Sequence, residues 1–268
     1  ADGYAQALKI NGFVIADFAE RRETIRRQVE TLGRKAGGKT IVGEELLSTV
    51  TGLVEWPQAL VGDFDPAFLE IPPEVLISSM RDHQKYFHLV DEKGQLLPKF
   101  IAVSNIRSKQ PARVRQGNER VLQARLSDAR FFWDEDRKRT LESRVADLES
   151  VTFHHELGSL RDKTDRLIEL AGHLARLLDE DADNCQRAAQ LCKADLVTDL
   201  VGEFPDLQGI MGRYYATHGR EKKAIGRAIE EHYHPRHAGD ALPQSKAGRI
   251  LAVADRIDSL FGLFAVSD

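Results

Sequence analysis

At 268 residues and a formal net charge of −4 at pH 7, the chain is long for one ordinary domain and comfortable for two, and its 42% apolar content suits globular cores. The mild acidity excludes a protein that coats nucleic acid, while it permits a local basic patch. No apolar run approaches the roughly twenty residues a spanning helix needs and no charged-then-apolar leader opens the sequence, so no membrane partner and a cytoplasmic location are expected.

From Gly3 to Phe18 the pattern predicts a short helix and then a strand, Phe13-Val14-Ile15, ended by Asp17. Glu20 to Gly33 reads as a helix, with Ile25, Val29 and Leu32 at spacings of four and three and Gly33 at the C-terminal cap. Gly37-Gly38 makes a loop, and Glu44 to Val54 a further helix stopped at Trp56-Pro57. Pro72-Pro73 opens another helix, since a first-turn amide has no partner to lose. Tyr86–Val90 and Leu97–Val103, rich in aromatic and β-branched residues, predict two strands joined by the turn Asp91-Glu92-Lys93-Gly94, a hairpin in an α/β layer. The following loop, IRSKQPARVRQ, carries only basic charges: Arg107, Lys109, Arg113 and Arg115. Asn118 is expected to cap a long helix that turns Val121, Leu122, Leu126, Ala129 and Trp133 inward and carries Arg120, Arg125 and Arg130.

Around Glu149 to Phe153 the character changes, and from Lys163 onward every segment reads as helix. Leu167, Leu170, Ala171, Leu174, Leu177 and Leu178 form one stripe, and Ile250, Ala254, Ile257, Phe261 and Phe264 another. Cys185 and Cys192 lie about two turns apart on one expected helix, too far for a disulfide, and read as reduced core thiols. The stretch from Lys193 reads as an amphipathic helix, with Ala194, Val197, Val201 and Phe204 on one side, broken at Pro205. Asp195 falls beside that stripe, where a carboxylate needs a partner to stay ionised. The fold class is therefore α+β, with a mixed α/β domain over residues 1–150 and an all-α domain over 151–268.

Several stretches, in order, resemble one family. They are EWP at Glu55–Pro57, FLEIPPEVLISSMRDHQKYF from Phe68, LPKFIAVSNI from Leu97, GNERVLQARLSDARFFW from Gly117, HHELGSL ending at Leu160, KADLVTDLVGEFPDLQGIMGRYYA from Lys193, EEHYHPRHAGDALP ending at Pro243, and ADRIDSLFG ending at Gly262. This set is similar to the bacterial-type glycyl-tRNA synthetase β subunit. The resemblance implies an enzyme of two α and two β subunits that joins glycine to its tRNA. ATP and magnesium would act at the α subunit, with no cofactor in this piece. The implied partners are the α subunit and tRNA(Gly), with β supplying tRNA binding and assembly. It also implies that this is part of a longer subunit that continues towards an anticodon-binding region.

The helical half resembles the HD fold, a metal-dependent phosphohydrolase bundle, with its ligands exchanged. Lys163 stands where a first histidine would be expected, Lys193 and Asp195 where a His-Asp pair would be, and only Asp255 looks as the metal version requires. A lysine ammonium about 4 Å from a divalent cation is repelled by roughly 8 kcal/mol at an effective dielectric of 20. A degenerate site holding no metal, with Lys193 paired to Asp195 or Asp255, is therefore expected over a working phosphohydrolase. Asp255 and Asp258 could jointly hold a cation, or form a charged face with Arg249 or Arg256. His232, His234 and His237 invite a zinc reading but lack a fourth ligand at metal spacing. His232 at a helix end also suits a cation on the dipole.

The first half has no phosphate loop and no nucleophile elbow, and no catalytic residue is expected in it. It remotely resembles the editing-type domain of bacterial phenylalanyl-tRNA synthetase β chains, with His83, Gln84, Lys85 and Tyr86 as candidate cleft residues. Editing is poorly motivated for glycine, whose pocket can exclude larger side chains sterically. RNA contact is the remaining candidate: Arg107, Lys109, Arg113, Arg115 and Arg120 could hold phosphates, or belong to a solvated loop. Lys222, Lys223 and Arg227 form a weaker patch. A purely structural brace for the α subunit is the other alternative.

Overall fold

In the computed structural model, which describes residues 2–266, mixed and helical character separate into two units, 1–130 and 131–268. The division falls earlier than the boundary near residue 150 read from the sequence. The end of α5 (Pro111–Asp136) explains the difference. Its last turns belong to the helical unit, where Trp133 stacks on Tyr215 with centroids 5.5 Å apart. Asp136, 1% exposed, accepts the Tyr215 hydroxyl at 2.8 Å and the amides of Asp199 and Leu200 at 3.0 Å. The Arg144 guanidinium completes its shell at 3.1 Å.

In the first unit, α1 (Asp2–Ala7) runs into a π-turn, Leu8–Gly12. The predicted strand at Phe13 does not form. Phe13 has φ 53°, in the left-handed region, and its amide closes the turn on Leu8 O; a strand needs extended backbone. α2 (Phe18–Lys35) starts where Asp17 accepts the Glu20 amide at 2.7 Å, and buries Ile25 and Val29. Gly33 is not its cap, since the helix continues and Ala36 caps it. Gly33 instead lets β1 (Lys39–Thr40) approach: a Cβ there would lie 2.1 Å from Thr40 Oγ1.

α3 (Glu44–Leu53) follows, then β2 (Gln58–Asp63), which the sequence pattern does not predict. α4 (Pro73–Ser78) begins at the second proline of the Pro-Pro pair. The hairpin is present as β3 (Phe87–Val90) and β4 (Leu96–Ser104), in a four-stranded antiparallel sheet of order β1-β3-β4-β2. Ile25 and Val29 of α2 and Leu46, Leu47 and Val50 of α3 bury one core with Phe87, Leu89 and Ile101 of the sheet. The long helix also differs from expectation. It begins at Pro111, a first-turn proline, so Arg113 and Arg115 are helical rather than in a loop. Asn118 sits inside the helix, donating to Val114 O at 2.7 Å and accepting the Tyr86 hydroxyl at 2.6 Å. Leu122, Leu126 and Ala129 are buried as the period requires, but Val121 is exposed.

The second unit opens with α6 (Leu141–Arg144) and a small ribbon, β5 (Thr152–His154) against β6 (Gly158–Ser159), inside the stretch expected to be all helix. Then come α7 (Leu160–Leu177), α8 (Ala182–Leu191), α9 (Asp199–Glu203), α10 (Ile210–His218), α11 (Lys223–Glu231) and α12 (Lys246–Ala265). α7 packs on α8 and α12, and α11 on α8, α10 and α12. A Ser159–Asp162 capping box starts α7.

Lys193–Phe204 is not one helix. A 3-10 turn, Ala194–Val197, is ended by Thr198, whose side chain caps α9 through the Val201 amide. The apolar stripes also stop short of their predicted ends: Leu177 and Leu178 on the first, and Phe261 and Phe264 on the second, are exposed.

Candidate functional site

The predicted set Lys163, Lys193, Asp195 and Asp255 resolves into two arrangements, one shared by three of the residues and one belonging to Asp195. Lys163 comes from the first turn of α7, Lys193 from the residue before the 3-10 turn, and Asp255 from the middle of α12. One carboxylate bridges both ammoniums: Lys193 Nζ lies 2.9 Å from Asp255 Oδ2, and Lys163 Nζ 2.9 Å from Asp255 Oδ1. The second of these is an ion pair without hydrogen-bond alignment. Lys163 also donates to Asp258 Oδ2 at 2.9 Å and Ser259 Oγ at 2.8 Å, and Arg166 Nε donates to Asp258 Oδ1 at 2.6 Å. Burial alone would raise the Asp255 carboxyl, but the ammonium of Lys193, with Lys163, holds it well below the usual carboxylate range.

His232 completes this cluster, and no spacing in the sequence placed it there. It caps α11, fully buried. Its Nδ1 lies 2.6 Å from Ile229 O, which can only accept, so Nδ1 carries the proton and Nε2 accepts from Lys193 Nζ at 2.9 Å. Burial, and next the Lys193 charge, hold this imidazole well below its ordinary pKa. The cation expected at this helix end is thus a neutral ring. The Tyr233 ring lies 4.3 Å from Lys193 Nζ, a cation–π contact. A cleft of about 490 Å³ opens beside His232, Tyr233, Asp255, Arg256 and Ser259.

Asp195 stands apart. Its Oδ2 accepts the amides of Gly209 at 2.6 Å and Gly212 at 3.0 Å, and its Oδ1 has no hydrogen-bond partner among the described residues. Burial raises its pKa to about 6, against the pull of those two amides. It ties the 3-10 turn to the start of α10, and Asp255 rather than Asp195 is the ion-pair partner of Lys193.

Two ammoniums face Asp255, and the neutral Nε2 of His232 is already committed to one of them. Among the described residues no group of three or more His, Cys, Asp or Glu is placed to hold a metal. Asp255 and Asp258 are each engaged by Lys163, and Arg256 donates to the carbonyls of His232 and His234 rather than to either aspartate. His234 and His237 lie beyond the end of α11, His234 partly buried and His237 exposed, whereas His232 is fully buried.

The other candidates lie in the first unit. Arg107 and Lys109 are on the segment between β4 and α5, and Arg113, Arg115 and Arg120 are on α5, all exposed. Arg115 pairs with Glu119 at 3.6 Å. Arg107, Lys109, Arg113 and Arg120 make no ion pair among the described residues. The four candidate cleft residues do not converge. Tyr86 is buried with its ring stacked on Phe100 at 4.7 Å, Lys85 Nζ folds back to Asp82 O at 2.8 Å, Gln84 ends the π-turn Ser79–His83, and His83 is exposed. No helix among the described residues is long and apolar enough to cross a membrane.

Comparison with known families matches residues 1–268 to the family described as glycyl-tRNA synthetase beta subunit. The chain is 51% identical over 265 residues to a protein of Marinobacter nauticus named glycine--tRNA ligase beta subunit, covering 98% of this chain and 38% of that one. Similar proteins of the same name occur in Hahella chejuensis, at 48% over 98% of this chain and 38% of the relative, and in a Janthinobacterium, at 51% over 99% and 38%. The chain thus spans 38% of the length of these relatives.

Proposed function

Because the chain belongs to the glycyl-tRNA synthetase beta subunit family, we propose that it is a tRNA-positioning and assembly portion of a glycine–tRNA ligase β subunit, working in the cytoplasm beside an α subunit that binds ATP and magnesium and performs the chemistry. The observation that carries this reading is the set of four exposed, unpaired cations, Arg107, Lys109, Arg113 and Arg120, on a chain of net negative charge. Cations without a protein partner are available to phosphates, and a few suffice for RNA held by backbone and shape. Held this way, the acceptor side of tRNA(Gly) reaches the partner's active site with part of its orientational entropy already removed.

In this reading the helical unit is a degenerate HD bundle, its metal position taken by Lys163 and Lys193. The first unit is a remote relative of editing-type domains without an editing role. A phosphohydrolase would need metal ligands where these ammoniums stand. A second reading, a brace against another subunit, draws support from the exposed apolar side chains Leu260, Phe261, Leu263 and Phe264 at the end of α12.

The test is a tRNA(Gly) titration of the assembled enzyme at several salt concentrations, with Arg107→Glu and Arg113→Glu. Each reversal should weaken binding and lower the salt slope by about one unit for each phosphate no longer held. Arg115→Glu should do less, because Arg115 is already paired with Glu119. Unchanged affinity and slope in all three would leave the brace as the better reading.

A further inference from the structure

A cleft of about 590 Å³ lies in the first unit, lined by Phe13, Glu55, Trp56, Asn105, Ile106 and Arg107 among others. Phe13 is 60% exposed and sits at φ 53°, a conformation that bulky side chains rarely adopt. It is fixed there by its own amide on Leu8 O and, two residues on, by the Ile15 amide on Glu55 O at 2.9 Å. The consequence is an aromatic ring held at the surface against Trp56, edge to face, with centroids 5.5 Å apart.

Polar groups beside these rings are similarly held and left free. Asn105 Oδ1 accepts the amides of Glu55 at 2.6 Å and Trp56 at 3.0 Å, which orients the side chain and leaves its Nδ2 without a partner among the described residues. The Glu55 carboxylate makes no ion pair or hydrogen bond among the described residues. The cleft therefore offers two ring surfaces, one oriented donor, one strong acceptor and, in its wall, the unpaired Arg107. Lys109 and Arg113 follow a short way along the chain. Aromatic rings beside free cations are what a splayed nucleotide requires, with the base on the ring and the phosphate on the guanidinium.

We infer that this cleft receives one unpaired base of a single-stranded RNA segment. The base stacks on the Trp56 ring, with the Phe13 ring standing edge-on beside it, and presents its Watson–Crick edge to Glu55 and Asn105 Nδ2, while neighbouring phosphates lie on Arg107 and Lys109. Every base carries an adjacent donor and acceptor on that edge, and in a duplex both are already taken. The site thus selects unpaired over paired RNA without choosing a sequence. This inference rests on the tRNA-positioning reading and adds to it the kind of RNA segment held.

Tryptophan fluorescence tests it, using the purified protein and a mixed-sequence RNA octanucleotide, alone or annealed to its complement. The single strand should quench emission and the duplex should not, and Trp56→Phe, which keeps a ring, should abolish most of the quenching while retaining binding. Trp56→Ala should weaken binding of the single strand by roughly 5- to 100-fold, the range for one base–aromatic stack. Equal quenching by the duplex, or unaltered affinity in Trp56→Ala, would overturn the inference. So would quenching by a mononucleotide such as CMP as strong as by the octamer, which would make this a free-nucleotide pocket. If these tests fail while the Arg107 and Arg113 reversals still weaken tRNA binding, the stacking site falls and the positioning reading stands; if the reversals are also silent, both fall.

Discussion

Lys193 Nζ lies 2.9 Å from His232 Nε2, so a lysine ammonium donates to a buried imidazole that must stay neutral to accept. The proton on Nδ1, donated to Ile229 O, fixes which nitrogen is free. A second proton on this ring would set two cations in contact, with the single carboxylate of Asp255 between them and Lys163.

Stability should fall on acidification through this ring. Below about pH 6.5 the unfolded chain protonates His232 while the folded chain does not, so the unfolded state gains protons and stability drops, by at most about 1.4 kcal/mol per pH unit. Asp195 acts in the opposite sense. With its folded pKa raised to about 6, it protonates first in the folded state and adds stability as the pH falls through that value. His232→Gln removes the first effect and keeps the second. In urea titrations from pH 7 to pH 5, the wild type should therefore lose stability relative to the variant, and parallel curves would contradict the neutral assignment.

Asp255→Asn should be the most damaging change in the charge cluster. It leaves Lys163 and Lys193, whose side chains are 4% and 6% exposed, without their shared carboxylate, at a cost of about 3–5 kcal/mol. Lys193→Met should cost less, because Asp255 keeps Lys163. Urea midpoints in that order support the bridging geometry; equal midpoints would mean that Asp255 carries only one of the two pairs.

Gly209→Ala probes the tie between Asp195 and α10. The backbone there has φ 80°, and a Cβ would lie 2.6 Å from the Tyr233 ring. Strain and overpacking together should cost about 2–4 kcal/mol. Gly37→Ala has nearly the same φ, 83°, with nothing within 4 Å, and should cost only about 1–2 kcal/mol. The difference between the two melting shifts isolates the steric part.

Both thiols should be inert in the folded protein. Cys185 and Cys192 are free and buried, and burial pushes the Cys192 thiol up to about 12 and raises Cys185 as well. Attack on a disulfide reagent needs an accessible thiolate. At pH 8 Ellman's reagent should therefore titrate neither until denaturant is added, and rapid reaction of one equivalent in buffer would contradict the packing around α8.

Residue order alone identified the family, because motifs from Glu55 to Gly262 are read along the chain and need no geometry. It also placed the β3–β4 hairpin and the buried period of Leu122, Leu126 and Ala129, since these follow from side-chain spacing. β2 is not legible because Gly62 weakens a strand pattern and Pro57 stands just before it; Gly62 is there because a Cβ would meet the Phe100 ring at 2.3 Å. Asn118 was misread as a cap because its partners, Val114 O and the Tyr86 hydroxyl, depend on where the helix starts and on a residue far away in sequence.

That Lys163 and Lys193 carry ammoniums could be read from the sequence, because a formal charge belongs to a residue type wherever it sits. Which carboxylate answers them could not. Asp195 is two residues from Lys193 and Asp255 sixty-two, yet the nearer one turns to the amides of Gly209 and Gly212. Only the packing of α7, α11 and α12 brings Lys163 to 2.9 Å and His232 to 4.0 Å from the carboxylate of Asp255. The protonation of His232 was likewise decided there, since a ring that titrates near neutrality in water is held neutral by burial and by the ammonium beside it.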